Sequence, residues 1–122
     1  MKIYVAGPMR GYPEFNFPAF RVAAAKLRAE GHIVFSPAEK DEEVHGQEFS
    51  KSFKTGSLEA AEATGFSLRR ALGDDLAWIT SEADGVYLLA GWENSRGALA
   101  EKATAEALGL EILYEPVDWK VL

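Results

Sequence analysis

Apolar positions recur along this chain in two rhythms, one suited to strands and one to helices. Residues 2–6 form a short β-rich apolar run ended by the turn signal Gly7-Pro8. A loop over residues 9–15 carries Arg10, Gly11, Tyr12 and Pro13. Phe20, Ala23, Ala24 and Leu27 keep spacings of three, four and seven, which predicts a helix opened by Asn16 and Pro18 and closed by Gly31. Residues 32–35 read as a second strand, stopped by Ser36-Pro37. Leu68, Leu72, Leu76, Ile79 and Ala83 mark the apolar face of a helix over residues 67–83. A strand at 85–89, a helix at 95–108 capped by Gly109 and a strand at Glu111–Tyr114 complete the pattern. The apolar tail 117–122 is a candidate edge strand or docking segment.

Residues 39–65 break the rhythm. They are polar, rich in Glu, Lys and Ser, with turn signals at Gly46 and Gly56 and a short helix predicted at 58–63. An irregular connection of this length is either a lid or binding loop, or a surface insertion.

Strands that alternate with helices predict an α/β chain, and 122 residues suffice for one domain. The expected fold is a single-domain, doubly wound parallel sheet of four to five strands, Rossmann-like or flavodoxin-like. In such folds ligands bind beyond the carboxyl ends of the strands, where the strand order reverses. The loops at 7–12 and 91–95 both fall there, so Tyr4, Arg10, Ser95 and Glu101 converge although far apart in sequence.

Composition narrows the chemistry. There is no cysteine, which removes thiol catalysis, disulfides and cysteine metal sites. His32 and His45 alone are a poor basis for zinc, and no metal site is expected. A net charge of −6 argues against binding a nucleic-acid polymer. No secretory leader or membrane-spanning stretch is visible, so the expected setting is cytoplasmic, with no membrane partner.

The most informative segment is Ser95-Arg96-Gly97-Ala98-Leu99-Ala100-Glu101, which follows the strand at 85–89. A helix start offers free N–H groups and a positive dipole end, which suits a phosphate. Glu101 is predicted to share a face with Gly97, Thr104 and Leu108, while Lys102 and Glu106 pair on another. A carboxylate among small and apolar neighbours needs a partner or a purpose. Asp75 lies beside the apolar face of its helix, seven residues after Leu68 and four before Ile79, and Asp74 is the competing candidate. Several readings stay open at this point. Ser95 either caps its helix or binds a ligand; Tyr4 is core or site; Phe15, Phe17 and Trp92 stack a base or staple loops; His45 is read as solvated.

Three motifs in order carry a resemblance. Ile3-Tyr4-Val5-Ala6-Gly7-Pro8-Met9-Arg10-Gly11, then Asp75-Leu76-Ala77-Trp78 leading to Ala83-Asp84-Gly85-Val86, then Ser95-x-Gly97-x-x-x-Glu101 resemble the nucleoside 2-deoxyribosyltransferase superfamily. The likeness is greatest to its small branch of 2′-deoxynucleoside 5′-monophosphate N-glycosidases and to short phage and bacterial relatives of that branch. The resemblance implies roles. Glu101 would attack the anomeric carbon, Asp75 would assist departure of the base, and Tyr4 would orient Glu101. Ser95 would bind the 5′-phosphate, with Arg10, Arg96, Gly7 and Gly97 beside the substrate. The transferases that act on free nucleosides typically carry aspartate where Ser95 stands, so the serine favours a monophosphate. The implied reaction releases free base and sugar 5-phosphate through a glycosyl-glutamate intermediate and needs no cofactor. Base exchange between nucleosides and a non-catalytic nucleotide-binding module are the alternatives. Relatives complete their pockets with a neighbour's residues, so a homodimer or higher oligomer is expected. Lys102-Ala103 and Ala98 depart from the family's pattern, and residues 39–65 do not align with it.

Overall fold

Strand β1 (Lys2–Ala6) is buried from its second residue onward because both of its faces are covered. Its side chains alternate between two cores, as a period of two requires. Ile3 and Val5 enter one core with Phe17, Phe20 and Leu27 of α1 (Phe17–Ala29). Tyr4 and Ala6 enter the other with Ile79 of α4 (Leu68–Ser81) and with Ala98 and Ala105 of α5 (Arg96–Ala107). The structure is a computed structural model and describes residues 1–116.

With β2 (Ile33–Phe35), β3 (Gly85–Leu88) and β4 (Glu111–Tyr114), β1 forms an all-parallel, four-stranded sheet in the order β2-β1-β3-β4. This is the doubly wound α/β architecture that the alternation of periods predicts. Strand order reverses between β1 and β3, so a crevice opens beyond Ala6 and Leu88. The expectation for residues 117–122 lies outside the described residues.

Residues 39–65 are more regular than their polarity suggests. Two helices lie in or across this stretch, α2 (Pro37–His45) and α3 (Leu58–Glu62), separated by a short 3-10 turn, Ser50–Ser52. α2 buries only Pro37 and Ala38, so it has no apolar stripe for a periodicity argument to find. Its outer acids pair with α1: Glu39 takes both terminal nitrogens of Arg28 at 2.6 Å, and Glu42 takes Arg21 at 3.4 Å. Ser36-Pro37 ends β2 and also starts α2, because proline fits the first helical turn.

One local expectation is met in a different way from a side-chain cap, and one needs correction. Asn16 precedes α1 but does not cap it through its side chain; its Nδ2 donates to the Pro8 carbonyl at 2.9 Å. Glu14, Phe15 and Asn16 all have positive φ, which makes a left-handed turn that aims Phe15 inward. On α5 the buried face is Ala98, Glu101 and Ala105, and Leu108 is 51% exposed. Leu108 is the C-cap residue, where the chain already leaves the helix.

Candidate active site

Tyr4 stands on β1 with its ring stacked on Phe35 (centroids 5.5 Å apart) and tilted against Trp78 (6.4 Å). Phe35 and Trp78 are themselves stacked, 5.0 Å apart, and packing against this pair fixes the direction of the hydroxyl. It donates to Glu101 Oε2 at 2.7 Å, a short distance for a charge-assisted bond. Small side chains at Ala98 and Ala105 flank Glu101 on the buried face of α5, so the helix sits close to the sheet with a carboxyl in its core-facing stripe.

Asp75 reaches the same space from α4. It is 8% exposed and Glu101 is 6% exposed, and burial raises the pKa of both. Desolvation pushes Glu101 up to about 8, with Tyr4 pulling it down and the nearby Asp75 charge pushing further up. Desolvation likewise pushes Asp75 up to about 6, opposed by Tyr4 and by Lys40. Tyr4 itself is raised, first by burial and then by the two carboxylates. The three groups thus share a common, nearly dry environment in which burial favours their neutral forms. Asp74, the competing candidate, faces away and pairs with Lys40 at 2.8 Å.

At the other end of the crevice lies the start of α5. Ser95 does cap this helix: its Oγ accepts from the Ala98 N–H at 3.1 Å. Its hydroxyl proton remains available for donation. Among the described residues, the N–H groups of Arg96 and Gly97 make no internal hydrogen bond, and Arg10 and Arg96 form no ion pair. A Cβ on Gly97 would meet only Ser95 Oγ at 4.0 Å, so the space beside Gly97 is open. A cradle of donors and two guanidiniums suits a dianion even in an acidic protein.

One cavity of about 470 Å³ joins these ends, and Tyr4, Gly7, Arg10, Asp75, Ser95, Arg96, Gly97 and Glu101 all line it. Gly7 has a packing role too, since a Cβ there would lie 2.7 Å from Leu89 Cβ. Phe15 lines the cavity, but Phe17 and Trp92 do not. Phe17 is wholly buried in the core, and Trp92 staples Tyr114 (5.9 Å) under Lys102. His45 is exposed, with its ring stacked on Phe49 at 4.8 Å.

Other lining residues carry no signal in the three motifs. Phe49, Leu58 and Phe66 close the cavity from the segment after α2, and Leu68 and Leu72 of α4 face it rather than the core. Asp41 of α2 is the third carboxyl in the wall. Its spacing of four from Pro37 puts the two on one face, but only once the helix opened by Ser36-Pro37 is known. Among the described residues, no group of three or more His, Cys, Asp or Glu side chains is arranged to hold a metal ion, and no helix is long and apolar enough to cross a membrane.

Over residues 1–114 the chain matches the family described as Domain of unknown function (DUF4406), and it belongs to that family. No curated protein and no solved structure matches it.

Proposed function

We propose that this protein is an N-glycosidase acting on (2′-deoxy)nucleoside 5′-monophosphates. The observation that carries this reading is the buried pair of carboxyls, Asp75 and Glu101, joined by Tyr4, at one end of a cavity whose other end is a helix start flanked by two arginines. A sugar phosphate placed with its anion on Ser95, Arg96 and Gly97 lies over Glu101.

The chemistry follows from the charges. Breaking an N-glycosidic bond develops positive charge at the anomeric carbon, and a carboxylate facing that carbon stabilises it. A Glu101 oxygen bonds to the anomeric carbon as the carbon–nitrogen bond breaks, and the bonding pair leaves on the base nitrogen. Asp75 supplies the proton that neutralises the base. Water then attacks the glycosyl ester, gives a proton to Asp75 and releases sugar 5-phosphate, which restores both carboxyls. Tyr4 holds Glu101 in one rotamer and opposes the burial that raises its proton affinity. The absence of a carboxylate at position 95 favours a phosphate over a free 5′-hydroxyl.

The test is release of free base. Native protein and Glu101→Gln are incubated with each common ribo- and deoxyribonucleoside 5′-monophosphate and with the matching nucleosides, and the base is read by chromatography. Release from monophosphates only, dependent on Glu101, is the expected result. Release coupled to incorporation of a second base would make the protein a transferase. Tight nucleotide binding without release would make it a binding module.

A further inference from the structure

α2 carries Glu39, Asp41, Glu42 and Glu43, and these acids have different fates. Glu39 and Glu42 are paired with Arg28 and Arg21 of α1, and Glu43 is exposed. Asp41 alone turns into the cavity, one helical turn after Pro37, which lines the same wall. Among the described residues it has no hydrogen bond and no ion pair, because the adjacent Lys40 is held by Asp74 on α4. Asp41 therefore faces the cavity as a half-buried carboxyl close enough to Asp75 for that charge to act on it.

We infer that Asp41 is the specificity residue for the base: with Asp75 it forms an acceptor-rich wall that selects nucleobases bearing an exocyclic amine over those bearing only carbonyls. This inference rests on the proposed substrate class. With the phosphate on the start of α5 and the sugar over Glu101, the base is left to the part of the cavity lined by Asp75 and its neighbour Asp41, and Phe49 and Phe66 line the same cavity. Like charges so close in a dry site oppose joint ionisation, and burial raises Asp41 to about 7. Two neighbouring carboxyls that carry one proton between them present one donor and several acceptors. Adenine, cytosine and guanine bring amine protons to such a wall. Thymine and uracil bring one N–H flanked by carbonyl oxygens, which face acceptors and remain unpaired. The neighbouring Phe15, Phe49 and Phe66 stack any base face and do not discriminate.

The experiment uses full-length Glu101→Gln, which leaves the base wall intact and removes turnover, and measures Kd for dCMP and dUMP by calorimetry. These two ligands differ only at the amino edge and its neighbouring ring nitrogen. The expected result is binding of dCMP roughly ten- to hundredfold tighter than dUMP. Adding Asp41→Asn is expected to bring the ratio to within about threefold of one, and adding Asp41→Glu to keep its direction. The ratio is taken within each variant, so any misfolded fraction cancels. Equal affinities with Asp41 present, a ratio unmoved by Asp41→Asn, or no binding of either nucleotide would each overturn the inference. Selective binding together with no base release by the native protein would leave the inference standing and remove the glycosidase reading.

Discussion

The cavity has two walls that the chain secures in different ways. Tyr4, Asp75 and Glu101 project from a central strand and two long helices, and none is more than 8% exposed. The opposite wall, from α2 to Phe66, contains no strand. It is held by rings meeting rings, Phe49 with Phe53 at 5.0 Å, Phe53 with Phe15 at 5.3 Å and Phe49 with Phe66 at 6.0 Å. Two backbone bonds tie this wall to the first loop, Gly11 N–H to the Gly56 carbonyl at 2.8 Å and Glu14 N–H to the Phe53 carbonyl at 3.0 Å. Under the proposed function, reaction falls to the wall built on the sheet and its long helices, where an ångström matters, and substrate choice to the wall built from packed side chains.

The sharpest way to break this comparison is to remove the proposed nucleophile without disturbing the fold. Glu101→Gln keeps an acceptor for Tyr4 and removes the negative charge. Base release is expected to fall by about a thousandfold or more, with KM changed little. Thermal unfolding near pH 8 is expected to be unchanged or higher, since a buried charge has been removed. A large drop in Tm with modest loss of rate would move Glu101 from chemistry to architecture.

Titration sharpens the same wall. Glu101, Asp75 and Asp41 all have folded-state pKa values raised by burial, to about 8, 6 and 7. The folded protein then binds protons that the unfolded chain has released, so these groups stabilise the fold in their neutral form. That stabilisation is complete below the ordinary carboxylate values near 4 and is lost as pH rises through about 6 to 8. Urea midpoints of the native protein are expected to fall from about pH 5 to about pH 8, and Glu101→Gln is expected to flatten the upper part of that fall. A native midpoint that climbs with pH would contradict the burial of these carboxyls. For turnover, the working form keeps one proton on the Asp75–Glu101 pair, so kcat/KM is expected to peak between about 6 and 8. The acid limb coincides with the second ionisation of a phosphate monoester, near 6, so the alkaline limb is the diagnostic one.

A smaller effect is expected at the phosphate end. Ser95→Asp preserves the cap, because aspartate serves at that position as well as serine. It places an anion where the substrate's anion is proposed to sit. KM for a monophosphate is expected to rise roughly ten- to hundredfold, with little change for the free nucleoside and little change in Tm. Equal effects on both ligands would remove the phosphate from the start of α5.

The two walls also differ in how far the sequence reveals them. The reactive wall has local signatures. A period of two puts Tyr4 on one face of β1, a strand–turn–helix junction marks Ser95, and helical spacing carries Glu101 inward. What helical spacing could not separate was the inner neighbours from the outer ones: Leu108 is as apolar as any core residue, yet it follows the last residue of α5 and points outward. That Asp75 lines the cavity while Asp74 pairs with Lys40 depends likewise on a contact between helices far apart in sequence. The second wall has almost no local signature. α2 is stabilised by two arginines on α1, and Phe49, Phe53 and Phe66 gain their meaning only from one another. Nothing in the polarity of residues 39–65 reports contacts of that kind, and so Asp41 stayed hidden with its helix.

Gly56 gives the mildest test, because it loosens the second wall without touching the first. Its φ is +66°, a conformation that costs an L-residue about 1–2 kcal/mol. A Cβ there would also run into the Tyr12 backbone and lie 2.9 Å from the Gly11 nitrogen, at the point where the two loops are bonded. Gly56→Ala therefore strains the bond that anchors the aromatic wall to the first loop. Overall stability is expected to fall by about 1–3 kcal/mol, measured by urea unfolding. KM is expected to rise severalfold while kcat stays within about twofold, because Tyr4, Asp75 and Glu101 keep their places on the sheet and its helices. The opposite split, with kcat lowered and KM unchanged, would show that the aromatic wall takes part in the chemical step and would dissolve the division of labour between the two walls.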